Sequence, residues 1–450
     1  MNARPAPLPR PLDILLLCDF RDDIAATVRD HIEALERYSR HRFWRLSILG
    51  DIPPSLDLSR FDAVIVHYTL VACHDTYLSA ASRQRLGAFR GLKGIFIQDE
   101  YRFVDASIRA MREIGIHVLF TCVPEGEIDK VYPETKLPGV ARINVLTGYV
   151  PDGLVERCVP DPTTRTIDVG YRGRNVPAWL GELGQEKVRI GKRFAEDAAR
   201  YGLACDISYR EEDRFYGDAW IGYLCGCKAV LGVESGASVF DFSGEIQRQV
   251  DLHVAREPHA PFDTLSKLYF EGHEGRISLA QISPRCFEAA AVRTLMILYE
   301  GEYSGLLIPW RHYVPLKKDH SNMDEVVAVL RDPVRLSEIT EAAYNEVAKA
   351  ESNSFRAFVA KVDGAMEARL QPQMLSVGAR WTQAMFEQAV GYDLKTLRRR
   401  IYRSAVQNAY NLIFRRALGW TSPAQRDRIH RHLRQMYNFL TLYELRARRR

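Results

Sequence analysis

The feature that most constrains this chain is a rhythm in which short, nearly uninterrupted apolar runs alternate with amphipathic stretches at helical spacing. The runs at 12–17, 63–66, 94–97, 118–120 and 143–146 are too apolar to leave one face in water. Strands of this kind belong to parallel sheets covered on both faces. Between the first two runs, Ile24, Val28, Ile32 and Leu35 recur at helical spacing and predict a covering helix. Polar residues follow the strands directly, at Asp19, His67, Asp99 and Thr121. In open α/β sheets the ligand crevice lies at those carboxyl ends.

The rhythm stops at a connector rich in proline and charge, 151–166, and restarts. New strands are predicted at 166–170, 205–208, 229–233, 294–298 and 313–316, with a long helix over about 184–201. A chain of 450 residues exceeds one compact core. Two α/β units of similar size predict two facing domains, 1–150 and 165–353, with a cleft between them. From 354 to 450 the strands cease and a basic helical extension is expected. The net charge of +5 conceals its asymmetry: residues 371–450 hold 16 Arg and Lys against 4 Asp and Glu, leaving −7 for the rest.

Apolar and charged contents of 46% and 26% are those of a globular protein, and no run approaches the roughly 20 residues of a membrane span. The apolar stretch 14–17 is too short for a secretory leader, so a cytoplasmic chain is expected. The eight cysteines show neither a disulfide framework nor metal-finger spacing. No cofactor or metal is expected.

Three segments carry candidate chemistry. Gly170-Tyr171-Arg172-Gly173-Arg174 sets two arginines around a glycine after a strand, where backbone N–H groups and guanidinium forks can bind phosphate. Its alternative is a surface turn with solvated arginines. The strand end Glu234-Ser235-Gly236-Ala237-Ser238 exposes small residues and N–H donors suited to an anion, or forms a plain strand-to-helix turn. In Ser283-Pro284-Arg285-Cys286-Phe287-Glu288, Ser283 reads as an N-cap with Pro284 at the first helical position. Arg285 would lie beside a bound phosphate, and Glu288 one turn further could accept bonds from vicinal hydroxyls.

Phe287-Glu288-Ala289-Ala290-Ala291 before an apolar strand resembles the donor-site helix of GT-B glycosyltransferases, closest to the bacterial group of spore-maturation type. The resemblance covers about 165–350 by motif and the first 150 residues by architecture alone. It implies two facing Rossmann-like domains, a nucleotide-sugar donor whose ribose is held by Glu288, and a diphosphate held by Arg172, Gly173 and Arg174. The second glutamate common among such proteins is Ala280 here, and Glu234 is its substitute if 240–281 is an insertion. Arg293-Thr294 stands where a glycine is usual after the helix.

An inverting enzyme needs a base from the first domain, and Asp99, His67 and Asp19 are the candidates. A retaining one needs none. No Asp-X-Asp lies at a strand end, which argues against a metal-dependent site. Around Leu397–Arg416 cations interleave with apolar residues, suiting an anionic membrane face or a helix packed on the body. No nucleic-acid recognition motif accompanies this charge. The expected function is sugar transfer from a nucleotide sugar to a glycan or lipid-linked acceptor in cell-surface polysaccharide synthesis, in the cytoplasm or peripherally at the inner membrane face. A sugar-nucleotide epimerase or a binding-only scaffold is the alternative.

Overall fold

The computed structural model describes residues 10–21 and 24–391. Its first sheet contains β1 (Asp13–Cys18), β2 (Arg42–Ser47), β3 (Ala63–Val66), β4 (Leu92–Ile97), β5 (Val118–Thr121) and β6 (Ala141–Asn144). Their spatial order is β2-β1-β3-β4-β5-β6, and every pair is parallel. Helices α1 (Ala26–Tyr38), α2 (Ala80–Ala88), α3 (Val104–Ile114) and the short α4 (Ile128–Val131) accompany it. All residues of β1 are buried, as the apolar run Ile14–Cys18 after Asp13 requires.

The second sheet contains β7 (Ile167–Arg172), β8 (Cys205–Ser208), β9 (Cys227–Gly232), β10 (Leu295–Tyr299) and β11 (Val314–Leu316), in the parallel order β11-β10-β9-β7-β8. Its helices are α5 (Gly181–Ala198), α6 (Asp218–Gly226), α7 (Glu245–Arg256), α8 (Phe262–Leu265), α9 (Pro284–Ala291), α10 (Met323–Arg331) and α11 (Pro333–Ala343). Two doubly wound parallel sheets are therefore present, as the strand rhythm predicts.

The differences have simple causes. Strand β2 escapes the sequence reading because Arg-Phe-Trp-Arg-Leu-Ser alternates, with only Trp44 and Leu46 turned into the core of an edge strand. Strand β6 begins at Ala141, before the apolar run at 143–146, and its half-buried residues mark the opposite edge. Strand β7 runs on through Tyr171 and Arg172, which the sequence places in the following turn.

Residues 236–281 form an insertion between β9 and α9. Its base is closed by reciprocal bonds between Ser235 and Gln281, 2.7 and 2.9 Å. Gly236, at φ +120°, lies so close to the Leu279 carbonyl that a Cβ would sit 1.5 Å from its oxygen. Helix α7 packs with Trp179, Leu180, Val250 and Phe270 in a small core of its own. The ends of the insertion reach the first domain, where Phe240, Ile277 and Leu279 join its core.

After α11 the chain returns to the first domain through the bridge between Val150 and Ser354. Helix α12 (Phe355–Glu367) buries Phe355, Phe358, Val359 and Met366 against Leu12, Ile14 and Phe96. On the other side Trp381 and Phe386, flanking the start of α13 (Gln383–Val390), cover Phe61 and Trp44. Arg380 pairs with buried Asp13, and Arg10 and the Ser376 N–H bond buried Asp62. Residues 355–390 thus pack on the first sheet. The expected basic helix at 397–416 lies outside the described residues. No helix among the described residues is long and apolar enough to cross a membrane.

Candidate functional site

Each sheet has one place where chain order reverses: between β1 and β3 in the first, and between β7 and β9 in the second. Strand ends at such points diverge and open a crevice. On the first wall the Asp19 N–H donates to Thr69 Oγ1 at 2.9 Å, tying the end of β1 to the end of β3. Asp19 itself is buried, with Arg21 Nε 3.7 Å from its carboxylate.

His67 is not at the cleft surface. It is fully buried, with Nε2 3.0 Å from His31 Nδ1 and Nδ1 3.1 Å from Thr69 Oγ1. Phe96, Tyr68 and, through His31, Phe358 surround the pair. Burial drives both imidazoles to lower pKa, His31 to about 3, so they stay neutral. An acceptor hydroxyl has no route to this ring. That removes His67 as a base despite its position at a strand end.

Asp99 is the candidate that faces outward. It follows β4, is exposed, and adopts φ +56°, a left-handed conformation unusual for a residue with a side chain. Its neighbour Gln98 donates to the Thr147 carbonyl at 3.1 Å, and Thr147 Oγ1 donates to the Ile282 carbonyl at 2.9 Å. The Asp99 segment is thereby linked to the start of α9 in the second domain. Pro284 abuts Gly148 so closely that a Cβ there would lie 2.8 Å from the proline ring.

On the second wall, Arg172 is taken up by internal partners. Its guanidinium donates to Asp206 Oδ2 at 2.6 Å, to the carbonyls of Asp206 and Asp213, and to Tyr223 Oη at 2.9 Å. It also lies 4.2 Å from the Tyr223 ring. As the last residue of β7 it is enclosed by β8 and α6, so its role is to join them. Gly173 is required by space, since a Cβ would lie 2.6 Å from Tyr209. Arg174, two residues past the strand, is exposed.

The loop 234–238 is similarly spoken for. Glu234 Oε1 accepts the N–H groups of Glu302 and Tyr303 at 3.1 and 2.7 Å, clamping the turn after β10. Ser235 N–H bonds Gln281 and Ser238 N–H bonds Leu180, so these donors close the insertion and are not offered to an anion. Ser283 caps α9 through the Arg285 N–H at 3.4 Å. Glu288 is buried, and the Trp220 indole N–H donates to its Oε2 at 2.8 Å. Burial raises its pKa, which Trp220 and Arg285 counter. Arg285 is exposed, stacks over Trp220 at 4.9 Å and donates to the Arg172 carbonyl.

Two residues missed by the sequence reading complete the walls. Lys187, on α5, is pushed down to about 8 by burial and by the charges of Arg174 and Arg285, with Asp99 acting in the opposite sense. Arg174 and Arg285 thus act on Lys187 with like charge, and Asp99 of the other domain acts on it with opposite charge. Asp30, on α1, is raised to about 6 by burial and by Glu33 and Asp152, and its charge in turn opposes ionisation of Glu288. Neither residue stands out in the chain, because α1 and α5 carry charges on several faces. Cavities of about 290 and 380 Å3, beside Leu252 and Tyr269 and beside Pro160 and Arg293, lie away from these strand ends.

No protein-family model matches the chain, and no curated protein matches it in sequence. Solved structures do match in fold. An α-glucosyltransferase in complex with UDP-glucose and DNA containing an abasic site is 8% identical, with a TM-score of 0.50 over 80% of this chain and 100% of its own. A β-glucosyltransferase described as a DNA-modifying enzyme gives 12% identity and a TM-score of 0.46 over the same shares. Anabaena Alr3699/HepE in complex with UDP gives 10% identity and a TM-score of 0.42, over 79% of this chain and 100% of that one. The likeness to the first is one of fold: two facing α/β domains in the GT-B arrangement.

Proposed function

We propose that this chain is a nucleotide-sugar-dependent glycosyltransferase. The observation that carries the reading is the capped start of α9, where Arg285 reaches the Arg172 carbonyl at the end of β7, Trp220 holds Glu288, and Gln98 and Thr147 tie the segment of Asp99 to Ile282, with Lys187 in the field of Arg174 and Arg285. Concentrated positive charge in a partly desolvated crevice suits a diphosphate. It also stabilises the charge that develops when the bond between the anomeric carbon and the diphosphate breaks. Glu288, held by Trp220 in the middle of α9, is placed to accept ribose hydroxyls. Asp99 can take the proton of an acceptor hydroxyl as it attacks the anomeric carbon.

A uridine donor is supported by the UDP-glucose bound in the α-glucosyltransferase that shares this fold. On the acceptor side we retain a glycan or lipid-linked hydroxyl. The absence of a nucleic-acid partner finds no support in the neighbours, since one of them carries DNA. Calorimetry against UDP-glucose and a panel of guanosine, thymidine and cytidine diphosphate sugars tests the donor site. If none binds at millimolar concentration, the reading fails. Radiolabelled transfer to glycan, lipid-linked and DNA acceptors then separates a transferase from an epimerase or a binding-only protein.

A further inference from the structure

The segment carrying Asp99 is anchored from beneath by a carboxylate that no part of the proposed chemistry uses. Glu100 is almost fully buried. Its Oε1 accepts the Cys122 N–H at 2.6 Å, and its Oε2 accepts the hydroxyls of Thr121 and Tyr132, each at 2.6 Å. Thr121 ends β5, and Tyr132 follows the short helix α4. Three chain segments therefore meet at one side chain. Burial pushes this acid up to about 7 while its donors pull it down.

Above Glu100 the backbone is unusual. Asp99 at φ +56° and Phe103 at φ +54° are both left-handed, and Glu100, Tyr101 and Arg102 lie between them. The far side is held by the insertion: the Asp241 N–H donates to the Tyr101 carbonyl at 2.7 Å, and the Asp105 N–H to the Phe242 carbonyl at 3.0 Å. Phe103 packs against Gly244, where a Cβ would lie 2.6 Å from its ring. A non-glycine residue stays left-handed only where its surroundings over-determine it. Here the turn that aims Asp99 into the crevice is pinned at Glu100 from below and at Tyr101 from the side.

We propose that Glu100 is the positioning residue for Asp99, fixing the left-handed turn that presents the Asp99 carboxylate to the crevice. This rests on the reading of Asp99 as the group facing the acceptor. The test uses the full chain and the variants E100A, E100Q, D99N and D99N/E100A. Release of UDP from UDP-glucose gives kcat and KM, and amide hydrogen exchange follows residues 97–103.

The expected result is that E100A lowers kcat at least tenfold with KM within threefold. In the D99N background the same change should alter kcat less than twofold, because a group acting through Asp99 has nothing left to act on. E100Q, which keeps the size and one acceptor, should recover at least half of the loss. Exchange over 97–103 should rise in E100A, stay near the parent in E100Q, and be unaltered elsewhere. Where E100A does not fold, E100D, one methylene shorter, takes its place with the same expectations.

An equal loss in both backgrounds, an unchanged kcat in E100A or D99N, or unaltered exchange over 97–103 overturns the proposal. If the parent neither binds nor turns over UDP-glucose, the uridine-donor reading falls separately. Exchange over 97–103 then decides Glu100 alone.

Discussion

Lys187 offers the sharpest test of the donor site, because its proton should be coupled to ligand binding. With burial and two arginines holding it at about 8, roughly half of the free protein is neutral there at pH 8. A bound diphosphate favours the charged form, so binding takes up a proton. The sign follows: affinity is full below about 8 and declines as pH rises through it. From pH 7 to pH 9 the protonated fraction falls from about nine-tenths to about one-tenth. Affinity for UDP-glucose should therefore fall about tenfold, or about 1.4 kcal/mol. Calorimetry at pH 8 in buffers of different ionisation enthalpy should register uptake of about half a proton per ligand. Lys187→Met should weaken binding at pH 7 by about 1.5–3 kcal/mol, the worth of a charge-assisted bond, and abolish the decline between pH 7 and pH 9. A wild-type affinity that is flat over this range, or a variant that keeps the slope, would refute the placement of Lys187 on the diphosphate.

Other predictions concern single side chains. Glu288→Ala should weaken UDP-glucose binding by about 1.5–3 kcal/mol in calorimetry while leaving the fold intact. Arg172→Ala should lower unfolding free energy by about 1–3 kcal/mol in urea titrations, with donor affinity within twofold, since its partners are all internal and Asp206 is partly exposed. The His31–His67 pair is neutral when folded, so its contribution is complete above about pH 6.5 and is lost as pH falls toward about 3. Stability should drop by about 1.4 kcal/mol per pH unit for each histidine below 6.5, and His31→Phe should flatten the slope measured by denaturant titration from pH 7 to pH 4.5. Phe358→Ala should cost about 3–5 kcal/mol, seen as a lower urea midpoint, because α12 fills the underside of the first sheet.

The segments of the candidate site are unevenly legible in the chain. The α9 start was legible because an N-cap serine, a proline and a carboxylate one turn on act within a few residues of each other. The Gly173–Arg174 turn was legible for the same reason, but Arg172 was misplaced, since nothing local reveals that Asp206 and Tyr223 close around it. His67 and Asp99 look alike in sequence, each a polar residue after an apolar run. Only packing separates them: one meets His31 and a wall of aromatics, the other an open crevice.

What the amino-acid order alone determined was the pair of parallel sheets, their helices and the capped start of α9. These depend on periodicity and on neighbours a few residues away, which the chain displays directly. Tertiary structure decided which charges are free. Desolvation and partner supply come from segments far apart in the chain: the field of Arg174 and Arg285 on Lys187, that of Asp30 on Glu288, and the bonds of Thr121, Cys122 and Tyr132 to Glu100. A charged side chain has the same letters whether it is buried in a network or aimed at a ligand, and only the surrounding fold sets the difference in energy.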